Sequence, residues 1–291
     1  FHTPPLLSPP TSPRLPSSLC AAAAMDVDEE LRRALVVCTP TFFRDKQDVR
    51  FSASMATLQA CQAAGLRVVL VDGSPDEGVV HALESSGAVV VREEARGKGN
   101  ALRQALRVAA ERYPEAQVLA FQELEKTDFV RCYPRLVPGL LRAPGGEGRR
   151  WDFCNPARGD ASWATYPVEQ VLEEKFQNHL MQMISREHGF TCPLDWSFGP
   201  FLLRREHLSQ WLAYPGQTYD AQWGPLVVAL RQDPALLVGA PVVDYRHTQA
   251  MRDEEEGSLT HALRRLQQLN MCVEAHRAAW EKPLPEAQTQ S

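Results

Sequence analysis

The chain has 291 residues, 44% of them hydrophobic and 23% charged, with a formal net charge of −5. That length suits one large α/β domain or two small ones, and the composition is that of an ordinary globular protein. The acidic balance argues against nucleic acid as the main partner, and no apolar run approaches the roughly 18–20 residues of a membrane span.

Residues 1–24 hold six prolines, four serines, one arginine and no acid, and they end in four alanines. Such a segment cannot bury a core. It reads either as a plastid-type transit peptide or as sequence upstream of a start at Met25, so residues 1–30 are expected to lie outside the fold as a disordered or targeting extension. The seven cysteines are scattered without a CxxC pair. That spacing disfavours a disulfide framework or a zinc site and points to a reducing compartment, the cytoplasm, or a plastid if the leader acts as a transit peptide. Cys38, Cys61 and Cys154 fall in apolar segments and are expected to be buried free thiols.

From Leu31 the pattern alternates strand and helix. An apolar run at 35–38 reads as a strand ending at Thr39 and Pro40, and an alanine-rich helix at 52–64 is closed by Gly65. A second strand at 68–71 runs into Asp72, Gly73 and Ser74. A helix near 76–86 stops at Gly87, and a third strand occupies 88–91. Gly97, Lys98 and Gly99 open a helix whose Leu102, Ala105, Leu106 and Ala109 share one face. The fourth strand, from Val118, ends in Gln122, Glu123, Leu124 and Glu125. Continuous Val and Leu strands between amphipathic helices mean a mostly parallel sheet with helices on both faces.

The second half is less regular. A surface loop is expected at 144–148, short strands at 152–154 and 198–203, helices near 205–213 and from Asp220, and one or two strands within 235–245. A long helix at 167–187 carries Val168, Val171, Leu172, Phe176, Leu180, Met183 and Ile184, read as its buried stripe. A closing helix at about 256–281 is expected to turn Leu259, Leu263, Leu266 and Val273 inward. One domain over 31–282 follows, with 283–291 as a disordered tail.

Ligands of open α/β sheets bind beyond the carboxyl ends of the strands. Taken in order, those ends present Thr39 and Pro40, then Asp72, then the basic helix start at Lys98, then the carboxylates of Glu123 and Glu125. Asp72 suits a base or ribose, though such an aspartate is more often a turn former. Lys98, Arg103 and the amides of a helix amino terminus suit phosphate. The two glutamates suit a divalent cation bridging a diphosphate. Neither a P-loop nor a GxGxxG follows the first strand.

On these residues the chain resembles the GT-A glycosyltransferases, in particular the family 2-like group. The resemblance spans about 34–250. It rests on the strand ends named above, on Phe198 to His207, on Tyr219 and Asp220, and on the run from Val243 to His247. It implies a single GT-A-type domain that moves a sugar from a nucleotide-diphosphate donor to an acceptor hydroxyl. Thr39, Pro40, Asp72, Lys98 and Arg103 would then bind the nucleotide sugar. Glu123, Glu125 and His247 would hold Mn²⁺ or Mg²⁺, and Asp220 would be the catalytic base. Two departures stand out: glutamates replace the aspartates of the family's DxD motif, and Tyr219 replaces the first acid of its ED pair. A nucleotide-sugar-binding protein that has lost catalysis is therefore the alternative. A nucleotidyltransferase is a more distant one, since it would want a glycine-rich basic loop after the first strand.

Asp195 is a second acid for the acceptor side, and the tryptophans at 151, 163, 196, 211 and 223 are sugar-stacking faces if they are not core. His188, His207, His261 and His276 read as surface residues.

Overall fold

Asp28 caps the first helix by accepting from the Leu31 amide, so the folded chain begins slightly before the expected boundary. The computed structural model describes residues 28–141 and 150–282; the leader at 1–24, the loop at 144–148 and the tail at 283–291 lie outside the described residues. Helix α1 (Glu29–Ala34) leads into β1 (Leu35–Thr41), α2 (Val49–Ala63), β2 (Arg67–Asp72), α3 (Glu77–Glu84), β3 (Val89–Arg92), α4 (Lys98–Arg112) and β4 (Val118–Phe121). This alternation follows the sequence reading closely. The less regular half adds α5 (Tyr133–Leu136), β5 (Phe153–Cys154), β6 (Ala157–Arg158), α6 (Asp160–Trp163), α7 (Val168–Glu187), β7 (Phe201–Arg204) and α8 (Leu208–Ala213). It closes with α9 (Asp220–Gln232), β8 (Val238–Gly239), β9 (Val242–Val243), α10 (Gln249–Glu255) and α11 (Leu259–Glu281).

The main sheet has seven strands in the order β3-β2-β1-β4-β7-β5-β8. Strands β1 to β4 run parallel, and β7 is antiparallel to both β4 and β5. Alternate residues of β1 feed opposite faces. Leu35 and Val37 pack with Leu58, Cys61, Leu83 and Tyr133, whereas Val36 and Cys38 pack with Leu102, Ala105, Leu106 and Val227. The sheet is thus covered on both sides, which explains why its strands read as unbroken apolar runs. Cys38, Cys61 and Cys154 are buried and free, as expected, and burial pushes the Cys61 thiol up to about 12. No helix among the described residues is long and apolar enough to cross a membrane.

The faces of two helices differ from expectation. On α7 the apolar residues Val168, Leu172, Phe176 and Met183 are exposed, Leu172 by 67%. Its buried side carries Gln170, Glu174, Gln177, Gln182 and Ser185, alongside Met181 and Ile184. The reason is a buried charge. The Arg158 guanidinium, 6% exposed, pairs with Asp195 at 2.7 Å and with Glu174, so α7 must turn a carboxylate inward. Arg265 on α11 reaches the same Glu174 at 3.0 Å. On α11, Leu259, Leu263 and Leu266 correspondingly face out, while Cys272, His276, Ala279 and Trp280 face in. His276 is therefore core, not surface: it bonds Ser185 at 2.8 Å and accepts from the Trp280 indole at 3.1 Å.

Candidate active site

The four parallel strands end on one edge, and there a cleft of about 700 Å³ opens. Its wall is built from Pro40, Thr41 and Phe42 after β1, Gly73 and Pro75 after β2, and Glu93, Arg96, Gly97 and Lys98 between β3 and α4. Glu123, Leu124 and Glu125 after β4 complete it, with Arg50 from α2 and Tyr219 before α9. The sheet order reverses direction between β1 and its two neighbours, which is where an open α/β sheet parts to admit a ligand.

Lys98 is the first residue of α4, and two interactions hold its ammonium in this wall. Nζ lies 3.2 Å from Glu123 Oε1 and 4.3 Å from the centre of the Tyr219 ring. The opposite oxygen of Glu123 is 3.0 Å from Nζ of Lys126, a residue the sequence reading did not single out. Lys126 lies behind the cleft, 5.6 Å from the Phe198 ring and 5.9 Å from the Tyr245 ring. The row Lys126–Glu123–Lys98 therefore places a carboxylate between two cations. Burial alone would raise the Glu123 carboxyl, but Lys126 and Lys98 outweigh it and bring it down to about 2. Gly199 makes room for this carboxylate: its φ is +96°, and a Cβ there would stand 2.6 Å from Glu123 Oε2.

Glu125 behaves differently. Among the described residues no hydrogen bond or ion pair holds its carboxylate, and burial followed by the Glu123 charge raises its pKa against the pull of Lys126 and Lys98. It also lines a second cavity of about 740 Å³, which Arg50 and Tyr219 share with the first. Arg44, His261, Arg264 and Arg265 bring positive charge to that second cavity, and Asp45, Asp48, Glu254 and Glu255 bring negative charge.

Of the residues expected to bind a nucleotide sugar, Pro40 and Lys98 line the cleft and three others are engaged elsewhere. Thr39 is buried, and its hydroxyl donates to the Pro40 carbonyl at 3.2 Å. Asp72 is fully buried. It accepts from Thr41 Oγ1 at 2.9 Å, from Ser74 Oγ at 2.6 Å and from Arg92 Nη1 at 2.6 Å, and so fixes the turn into Gly73. Arg103 donates to the carbonyls of Tyr214 and Gly216, both at 2.7 Å, tying the loop before α9 to α4. The amides at the start of α4 are also taken, Gly97 N by Glu93 and Gly99 N by the Gln217 carbonyl. Gly99 permits that approach, because a Cβ there would meet the Gly216 carbonyl at 2.0 Å.

Asp220 does not face either cavity. Its carboxylate accepts from Thr218 N at 3.0 Å, Thr218 Oγ1 at 2.8 Å and Tyr214 OH at 3.2 Å, which makes it a brace for the start of α9. Asp195 is likewise committed to Arg158. None of the five tryptophans lines the cleft; Trp196, Trp211 and Trp223 are core, and Trp163 covers the Arg158 guanidinium at 3.7 Å.

The expected cation ligands do not converge. Both Glu123 oxygens carry an ammonium group, and His247 bonds Glu255 at 3.1 Å while stacking on Tyr166. Among the described residues, the one trio of His, Cys, Asp or Glu with ligand atoms within 4.8 Å of one another is Asp152, Glu206 and His207, where Arg204 also pairs with both acids. A divalent cation wants oxygen ligands free to turn toward it, so Glu123, Glu125 and His247 as arranged here do not fit one.

Phe42, Arg50, Glu93 and Arg96 line the cleft without having been marked from sequence. A basic or aromatic residue just after a strand was the signal available for Phe42 and Arg96. Arg50 sits inside a helix and carried none.

Neither a protein-family model nor a curated protein sequence matches the chain. Solved structures do. The glucosyl-3-phosphoglycerate synthase of Mycobacterium tuberculosis, in complex with Mn²⁺, UDP and glucosyl-3-phosphoglycerate, is 16% identical with a TM-score of 0.58 over 89% of this chain and 85% of that one. Another structure of this synthase gives 17% and 0.56 over 89% and 85%. A further mycobacterial protein gives 17% and 0.57 over 89% and 79%. The likeness is one of fold: the chain has the single-domain α/β architecture of the GT-A-type transferases.

Proposed function

We propose that this protein transfers a sugar from a nucleotide-diphosphate donor to an acceptor hydroxyl. The observation that carries the reading is the ammonium of Lys98, held in the wall of the strand-end cleft by Glu123 and Tyr219. A diphosphate in this cleft would meet Lys98, Arg50 and Arg96, and the exposed ring of Phe42 at 57% offers a face to the base. Asp72 acts from behind by fixing the turn at Gly73, not by touching the nucleotide. The second cavity, reached past Glu125, would take the acceptor. As the sugar leaves the diphosphate, Lys98 compensates the charge that develops on the departing phosphate.

A second reading, binding of a nucleotide sugar without turnover, draws support from the closed hydrogen bonding of Asp220. A thermal-shift panel of UDP- and GDP-sugars, with and without Mn²⁺, tests both. The metal is included because the similar synthase structures hold Mn²⁺ with UDP. A donor at about 100 times its Kd stabilises the fold by about 2.7 kcal/mol. For a domain of this size that is a rise of roughly 5–10 °C. Lys98→Ala should remove most of the rise. A panel in which no nucleotide sugar shifts the melting temperature would end the transferase reading and the binding reading together.

A further inference from the structure

We propose that Glu125 is the general base of the transfer, taking the proton of the acceptor hydroxyl, while Glu123 serves only to hold Lys98. The inference rests on the transferase reading and goes beyond it by assigning the base, which the sequence had placed at Asp220.

Three observations carry it. First, Glu125 stands where the donor cleft meets the second cavity, so its carboxylate is open to both reactants. Secondly, it is the acid in this wall without a partner: Glu123 is clasped by two lysines and Glu93 accepts from the Gly97 amide. Thirdly, the backbone on either side of it is fixed. The Leu124 carbonyl accepts from Thr57 Oγ1, and the Lys126 carbonyl accepts from Gln122 Nε2 at 2.9 Å. Gln122 is in turn held by Tyr133 OH at 2.8 Å. The turn from Glu123 to Lys126 closes on itself through the Lys126 amide and the Glu123 carbonyl at 3.0 Å. A free carboxylate on a pinned turn is pre-positioned for proton transfer without being neutralised by the protein.

The charged and titratable groups that face it are Glu123, Lys98, Lys126, Arg50 and Tyr245. They drive the two glutamates apart, Glu123 down and Glu125 up, which is the pattern of one carboxylate kept as a fixed charge and the other as a proton acceptor. In the step itself the acceptor oxygen bonds to the anomeric carbon and its proton passes to Glu125. The bond from that carbon to the phosphate oxygen breaks, and the nucleoside diphosphate leaves with the electron pair beside Lys98.

The test measures release of UDP from UDP-glucose, and of nucleoside diphosphate from the strongest binder of the thermal-shift panel, with water and with glycerol as acceptor hydroxyls. Glu125→Gln should melt like the wild type and keep the donor-induced thermal shift, with kcat reduced roughly 10²- to 10⁴-fold. Glu125→Asp, which retains a base one methylene shorter, should recover part of that loss. A Glu125→Gln protein within threefold of wild-type kcat would overturn the assignment. So would a parallel loss of donor binding, which would make Glu125 a donor contact. Wild-type protein that is stabilised by donor yet releases no diphosphate would overturn it too, leaving the binding reading standing. Absence of any donor shift is the distinct result that removes the transferase reading itself.

Discussion

Replacing Glu123 by glutamine keeps the shape of the side chain and removes the charge between Lys98 and Lys126. Lys98 retains the Tyr219 ring and part of its solvent, but Lys126 is 14% exposed and loses its nearest counterion. The fall of the Glu123 carboxyl from the ordinary 4.5 to about 2 corresponds to about 3 kcal/mol at neutral pH. Removing one partner of a buried ion pair typically costs about 3–5 kcal/mol, so the two routes agree. At roughly 2–4 °C per kcal/mol, Glu123→Gln should melt about 6–12 °C below wild type. Urea and thermal unfolding at pH 7 of wild type, Glu123→Gln and Glu125→Gln would measure it, with Glu125→Gln near wild type.

The pH dependence supplies the sign. A carboxyl whose pKa is lowered by folding contributes fully above its unfolded value and loses that contribution as pH falls through the window down to the folded one. The gap between wild type and Glu123→Gln should therefore close as pH falls from about 4.5 to about 2. Adding Lys126→Met to Glu123→Gln should restore part of the stability, because no unpaired buried ammonium remains. A single variant melting within about 2 °C of wild type, or a gap that persists at pH 3, would refute the clasp as described.

Two further outcomes follow from the fold. Leu172→Ala, at an exposed position of α7, should change stability by less than about 1 kcal/mol, whereas Ile184→Ala on the buried side should cost about 2–5 kcal/mol in urea unfolding. Burial lowers the His276 pKa to about 3, so the folded imidazole stays neutral where the unfolded one takes a proton. Stability should accordingly fall below pH 6.5 by up to about 1.4 kcal/mol per pH unit, and urea titrations of His276→Leu should lose that slope.

Strand positions were legible because a strand buried on both faces must be apolar at every residue, and runs such as 35–38 and 68–71 permit little else. Their carboxyl ends followed, and with them the location of the cleft. Which charge meets which did not follow. Glu123 and Glu125 are one residue apart and chemically identical in sequence, yet one is clasped by Lys98 from 25 residues upstream and the other is free. Asp72 reads as a ligand until Thr41, Ser74 and Arg92 are seen to surround it.

The same division governs the helices. Periodicity reveals that α7 has an apolar stripe, but not that the other face must meet Arg158 and Arg265. A buried guanidinium needs carboxylates, and satisfying it outweighs leaving four apolar side chains in water. The sequence by itself thus determined the order of elements, the parallel sheet and the edge at which a ligand binds, because those depend on local apolar patterning. The tertiary structure alone decided the roles of the two glutamates, since a carboxylate becomes an anchor or a base through the cations that folding brings within about 3 Å of it.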